Sequence, residues 1–149
     1  PLSKLQEAEL ELFGEESPSP KRERKHYTLE DFEVHSMLSR GAFGFVFLVK
    51  HPEKGYFVLK WLDKWQIQKE KHLQLILNEW NILRAISTNK KLDSSFLIKC
   101  FETMQDKNAL YFLLEFTPGG ELWTYIKKHL AIKRDALIFY SAEILCAIE

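Results

Sequence analysis

The sequence predicts an α+β fold: a five-stranded antiparallel sheet, one long helix packed against it, and two helices after the sheet. Three observations carry this. Short apolar runs rich in β-branched and aromatic residues recur between turn residues, as strands do. The stretch Lys71–Ile86 instead repeats its apolar residues at helical spacing. The order is β-β-β-α-β-β, with hairpin-length connections wherever one strand directly follows another. Parallel pairing would need crossovers of a dozen or more residues, so the sheet is antiparallel.

Residues 1–16 place Leu5, Ala8, Leu12 and Phe13 among five glutamates, which reads either as a short amphipathic helix or as an acidic arm. Ser17-Pro18-Ser19-Pro20 interrupts it, and the basic cluster Lys21–His26 follows. The sharp readings there are a proline-directed phosphosite and a nuclear-import patch; the plain one, preferred here, is a solvated linker. Residues 1–26 are thus an arm or linker, and the domain begins at Tyr27. Apolar residues alternate at Phe32, Val34 and Leu38, which gives the first strand. The turn Ser39–Gly44 leads to Phe45–Val49, and the turn His51–Gly55 leads to Tyr56–Leu62, the second and third strands.

Asp63–Lys71 is charged and amphipathic. Leu73, Ile76, Leu77, Trp80 and Leu83 then form one apolar stripe, predicting a helix with that stripe on the sheet. Ser87–Ser95 is polar and aperiodic and reads as a loop. Ile98–Met104 and Ala109–Glu115 read as strands joined by the turn Gln105–Asn108. Pro118, Gly119 and Gly120 make a flexible joint. Glu121–His129 reads as a short helix and Lys133–Glu149 as a longer one. Apolar residues wrap nearly the whole circumference of the latter. Such a helix belongs in the centre of a larger domain, so this reading expects a sequence cut short, or a helix covered by another chain.

A length of 149 residues suits one domain with one core. Lys plus Arg and Asp plus Glu each number 21, so no global charge points to nucleic acid or a membrane surface. No apolar run approaches the ~20 residues of a membrane span, and Leu2–Phe13, studded with Glu, is no secretory signal. Cys100 and Cys146 suggest no disulfide framework; both read as buried small hydrophobes in a reducing compartment, without metal-ligand spacing. A cytoplasmic location is expected, with a nuclear one if the basic cluster is read.

The glycines Gly41 and Gly44 lie between two strands. A dinucleotide-binding turn would open a helix after its glycines, and Phe45–Val49 is poor material for that, so the glycines belong to a hairpin. Lacking a Cβ, they allow a ligand close approach to the backbone. Lys60 interrupts an apolar strand on the face of Val58 and Leu62, where an ammonium must reach solvent or meet an anion. Glu79 lies beside the helix stripe and points a carboxylate toward that same surface.

These residues resemble a protein kinase. Leu38, Gly41, Phe43, Gly44 and Val46 match the glycine-rich loop and its flanks, and Val58-Leu59-Lys60 looks like the V-A-I-K strand. Ser39 stands where the first loop glycine is usual, and Ser39-Arg40-Gly41-Ala42-Phe43-Gly44 is similar to the loop of the Greatwall/MAST branch of the AGC kinases. The hinge Leu114-Glu115-Phe116-Thr117-Pro118-Gly119-Gly120-Glu121 is similar to M-E-Y-x-P-G-G-E of AGC kinases, and Tyr27–Phe32 resembles their entry to the first strand.

The resemblance covers residues 27–149 and implies a kinase small lobe at 27–116, with hinge and the first helices of a large lobe at 117–149. It implies that Lys60 and Glu79 position the α- and β-phosphates of ATP under the loop 39–44, with Phe43 at its tip covering them. Leu38, Val46 and Val58 would enclose the adenine, Val58 narrowing the slot where Ala is usual. Leu114 would be the gatekeeper, the backbone of Glu115 and Thr117 would meet the adenine edge, and Glu121 the ribose and a basic substrate residue. Leu75 stands where AGC kinases often carry a His that meets the activation-loop phosphate; His72 lies one turn earlier.

The family's H-R-D-x-x-x-x-N and D-F-G motifs do not occur in this sequence, so the magnesium that accompanies ATP has no ligand here and the catalytic base is absent. The expected function is the ATP-binding portion of an AGC-like serine/threonine kinase, inactive by itself, with ATP and a protein substrate as partners. The remainder of the large lobe, or a partner protein, would cover 133–149. The alternative is a non-catalytic, pseudokinase-like binding module.

Overall fold

The structure, a computed structural model, describes residues 27–69, 72–88, 96–129 and 132–148. The arm 1–26 and most of the expected polar loop, 89–95, fall outside the described residues.

A single 3-10 turn, Leu29–Asp31, opens the domain; Thr28 donates from its backbone N–H to Asp31 Oδ2 (2.7 Å) and from its hydroxyl to the same oxygen (3.1 Å). Five strands follow: β1 Glu33–Arg40, β2 Gly44–His51, β3 Gly55–Asp63, β4 Cys100–Gln105 and β5 Ala109–Glu115. They form one antiparallel sheet in the order β1-β2-β3-β5-β4. The helices are α1 Lys64–Lys69, α2 Leu73–Thr88, α3 Leu122–His129 and α4 Arg134–Ile148.

Strand alternation splits the sheet into two apolar faces. On one, Leu62, Leu110, Phe112 and Leu114 pack with Ile76, Leu77, Trp80 and Leu83 of α2 and Ile67 of α1. On the other, Val49, Phe57, Leu59, Tyr111 and Leu113 pack with Tyr27, Phe32 and Met104. The α2 residues are the predicted stripe. Burying each such side chain stabilises by about 1.5–3 kcal/mol, so this contact decides where α2 lies.

Two turns explain their own sequences. His51 Nδ1 accepts the N–H of Glu53 (3.1 Å) and Lys54 (3.3 Å), and Gly55 has φ +84°, a left-handed conformation that favours glycine. In the β4–β5 turn, Asp106 Oδ1 accepts the N–H of Asn108 (2.7 Å) and Ala109 (2.8 Å), and Oδ2 accepts the Tyr111 hydroxyl (2.6 Å).

Several boundaries differ from expectation. β1 begins after Phe32, which packs into the core instead, and β1 is exposed along its whole length, Val34 and Leu38 included. β1 lies at the sheet edge, where only one neighbour shields it. Its register slips twice, between Val34 and Ser36 and between Met37 and Ser39, so the alternation of Val34 and Leu38 does not carry through. β4 starts at Cys100, two residues later than Ile98. Within Asp63–Lys71, α1 is a helix capped by Asp63, whose Oδ1 accepts the N–H of Trp65 (2.8 Å) and Gln66 (3.3 Å). Ser87 and Thr88 belong to α2, not to a loop. Cys146 is exposed and Cys100 half-buried, so neither is the fully buried hydrophobe expected. α4 carries no buried residue, and Leu137, Phe139, Leu145 and Ile148 are exposed.

Candidate functional site

β3 presents Val58, Lys60 and Leu62 toward α2, and the Lys60 ammonium is chelated by Glu79: Nζ lies 2.6 Å from Oε1 and 2.7 Å from Oε2. Lys60 pairs with Val46 of β2 on one side and Phe112 of β5 on the other, so it stands mid-sheet. The pair keeps 25% and 39% side-chain exposure, so it is open to an incoming ligand. An ammonium has three donors. Two serve Glu79, which leaves one for another anion.

The β1–β2 connection is a tight turn closed by the Gly41 N–H on the Gly44 carbonyl (2.9 Å). The two glycines have different reasons. A Cβ on Gly44 would sit 1.9 Å from the Trp61 carbonyl oxygen, so glycine is demanded there by the β2–β3 pairing. The expectation that Gly44 serves ligand approach is corrected: the neighbouring strand already fills that space. A Cβ on Gly41 would meet nothing nearer than the Gly44 carbonyl at 3.8 Å. The fold leaves that side of Gly41 open.

Phe43 is also corrected. It is not raised at the loop tip; it packs against the α2-side core, its ring 4.8 Å from that of His72. Its carbonyl accepts the Asp63 N–H (2.9 Å), which folds the turn back over the end of β3. Ala42 and Ser39 are exposed, and Ser39 pairs with Val46 across the hairpin. Leu38 lies in the second register slip and is 47% exposed.

Val46 and Val58 are half-buried, and Val58 pairs with Leu48 on one side and with the buried Leu114 on the other. Cys100 pairs with Leu114 from the far side, a neighbour that sequence reasoning missed. Burial pushes the Cys100 thiol up to about 11, so it is a neutral packing group here.

A model of the protein kinase domain matches residues 32–149. This chain belongs to the protein kinase family. It is 38% identical over 136 residues to the cAMP-dependent protein kinase catalytic subunit PRKX of Homo sapiens, covering 89% of this chain and 36% of that one. It is 34% identical to the serine/threonine-protein kinase sgk-1 of Caenorhabditis elegans, over 85% of this chain and 26% of that one. It is 39% identical to the 3-phosphoinositide-dependent protein kinase B of Dictyostelium discoideum, over 80% of this chain and 13% of that one. The kinase chain described here therefore spans about a third or less of these relatives. They are serine/threonine kinases of the AGC kind, and the five-stranded sheet with its packed helix is the kinase small-lobe arrangement.

In the segment expected to be the hinge, the Glu115 N–H is bonded to the Lys99 carbonyl (2.9 Å) and is not available to a ligand. Thr117 is exposed, and Gly119 and Gly120 have φ of +116° and +78°, both left-handed, with open space around each. Glu121 caps α3, its carbonyl accepting the Tyr125 N–H (3.1 Å), and its carboxylate is exposed beside the positive end of the helix dipole. Leu75 is 56% exposed, while His72 faces Phe43 and its carbonyl accepts the Leu75 (3.0 Å) and Ile76 (3.3 Å) N–H groups of α2.

ATP has a fitting set of groups: the ammonium of Lys60, the open side of Gly41, and the apolar residues Val46, Val58 and Leu114 on one sheet face. Magnesium does not. Among the described residues no three of His, Cys, Asp or Glu gather at metal distance.

Proposed function

We propose that this chain is the ATP-binding part of an AGC-like serine/threonine protein kinase, with residues 27–116 as its small lobe and 117–149 as the hinge and the start of its large lobe. The observation that supports it is the two-oxygen grip of Glu79 on Lys60, on the face shared with Val46, Val58 and Leu114. The free donor of Lys60 would meet an α- or β-phosphate oxygen, and Glu79 keeps the ammonium from swinging away. Leu38 and Val46 would lie over the adenine and Val58 beside it, with Thr117 at its edge. Glu121 would receive the ribose hydroxyls and a basic residue of a protein substrate. The parent reaction moves the γ-phosphoryl of ATP to a Ser or Thr hydroxyl.

The 149 residues alone should not perform that reaction, because their sequence contains neither H-R-D-x-x-x-x-N nor D-F-G. Affinity for ATP should be weak, about millimolar, roughly 4 kcal/mol. Titration with a fluorescent ATP analogue tests binding: micromolar affinity, or none at 10 times the expected range, would count against this reading. Phosphorylation of a basic Ser/Thr peptide by the purified chain would refute its inactivity.

A second reading, a non-catalytic binding module, is favoured by α4. Its exposed Leu137, Phe139, Leu145 and Ile148 suit burial against a partner protein.

A further inference from the structure

We infer that Ser87 is a positioning residue for the Lys60–Glu79 pair, an inference that rests on the nucleotide-site reading above. Ser87 lies in the last turn of α2, eight residues beyond Glu79. Its hydroxyl makes a reciprocal pair of bonds with one backbone residue: Oγ accepts the Cys100 N–H (3.2 Å) and donates to the Cys100 carbonyl (3.0 Å). Cys100 is the first residue of β4. It pairs with Leu114, and the preceding Lys99 carbonyl takes the Glu115 N–H. One hydroxyl thus fastens the end of α2 to the strand that flanks the hinge.

The physical need for such a fastening is clear. Ile76, Leu77, Trp80 and Leu83 hold α2 on the sheet, but apolar burial is non-directional. It fixes that the helix lies there and leaves slide and roll weakly determined. Glu79 needs both determined, because two oxygens must reach one ammonium at 2.6 and 2.7 Å. Slide along the axis carries Glu79 about 1.5 Å per residue step, enough to break that grip. Ser87 supplies directional bonds at the C-terminal end of the same helix. Threonine can make both bonds, cysteine makes them poorly and alanine makes neither.

The test is a double-mutant cycle on Lys60→Met and Glu79→Gln, read by urea unfolding of the full chain, repeated with Ser87→Ala, Ser87→Cys and Ser87→Thr. The coupling between Lys60 and Glu79, expressed as an equilibrium factor, should fall about threefold or more with Ser87→Ala. It should fall part-way with Ser87→Cys and return with Ser87→Thr. If Ser87→Ala does not fold, the ranking of cysteine below threonine carries the test. A Ser87 variant that loses overall stability while the coupling stays unchanged overturns the inference, since that is what a merely structural hydroxyl would do. ATP-analogue titration of the wild-type chain separates the two readings. Coupling that responds to Ser87 with no nucleotide bound removes the nucleotide site and leaves Ser87 its role. Nucleotide bound with an unresponsive coupling does the reverse.

Discussion

Phe43 rests on His72, their ring centroids 4.8 Å apart and their planes inclined at 47°. The contact joins the glycine hairpin to the N-terminal end of α2, the helix that carries Glu79. The hairpin is therefore anchored at its turn, not only through its strands. Replacing Phe43 by Ala should cost about 1–2 kcal/mol, since the ring is half-buried, and should speed amide exchange at Gly41. Phe43→Leu should recover most of the stability. Equal exchange rates in wild type and Phe43→Ala would contradict the anchor.

The two loop glycines should respond oppositely. Gly44→Ala places a methyl on the Trp61 carbonyl and should destabilise by about 1–3 kcal/mol or more. Gly41→Ala should change stability by less than ~0.5 kcal/mol, the range of an open surface site, yet weaken binding of an ATP analogue. Urea midpoints of the two variants, beside their nucleotide titrations, give the comparison.

Lys60→Met should alter stability little, about 1 kcal/mol or less, because the Glu79 pair is partly exposed and screened. Its effect on nucleotide should be larger, roughly tenfold, the weight of one charge-assisted hydrogen bond. Glu79→Gln should leave the ammonium in place but less firmly directed, and should fall between wild type and Lys60→Met. An ATP affinity unchanged in Lys60→Met would remove this residue from the site.

Asp106 and Tyr111 set limits at the two ends of the pH scale. The Tyr111 hydroxyl, then the Asn108 and Ala109 N–H groups, hold the Asp106 carboxyl below its ordinary value of 3.8. A depressed carboxyl stabilises the fold above its unfolded pKa and loses that contribution as pH falls through the folded one. Burial and the Asp106 carboxylate push the Tyr111 phenol up to about 12 from 10.0. That contribution is complete below pH 10 and lost as pH rises through about 12. Asp106→Asn should destabilise at neutral pH by about 1 kcal/mol, a net hydrogen bond, and flatten the acid limb below pH 4. Tyr111→Phe should flatten the alkaline limb. Urea midpoints measured from pH 3 to 11 show both.

How much of this was legible depended on whether a residue's reason was local. The α2 stripe was legible because Ile76, Leu77, Trp80 and Leu83 repeat at the helical period. Lys60 was placed on its face because strand parity is strict in β3. Gly44 was not, because crowding by Trp61 and approach of a ligand demand the same residue. α1 is six residues long, too short for its amphipathic stretch to fix a helix, and its Asp63 cap shows only in the structure. Phe43 on His72 and Ser87 on Cys100 join residues far apart in the chain, and no spacing in the sequence records them. The alternation of Val34 and Leu38 did not carry through β1 for another reason: at an edge, bulges move side chains off strict parity.

Those two register slips in β1 have a consequence for the chain among its neighbours. An outermost strand offers a row of unused amides and carbonyls on which a foreign strand can grow, the first step toward fibrils. Val34 and Met37, both about 60% exposed, would make such growth adhesive. Kinks at Val34–Ser36 and Met37–Ser39 interrupt the row, so no straight template is presented, and self-association through this rim is discouraged by shape.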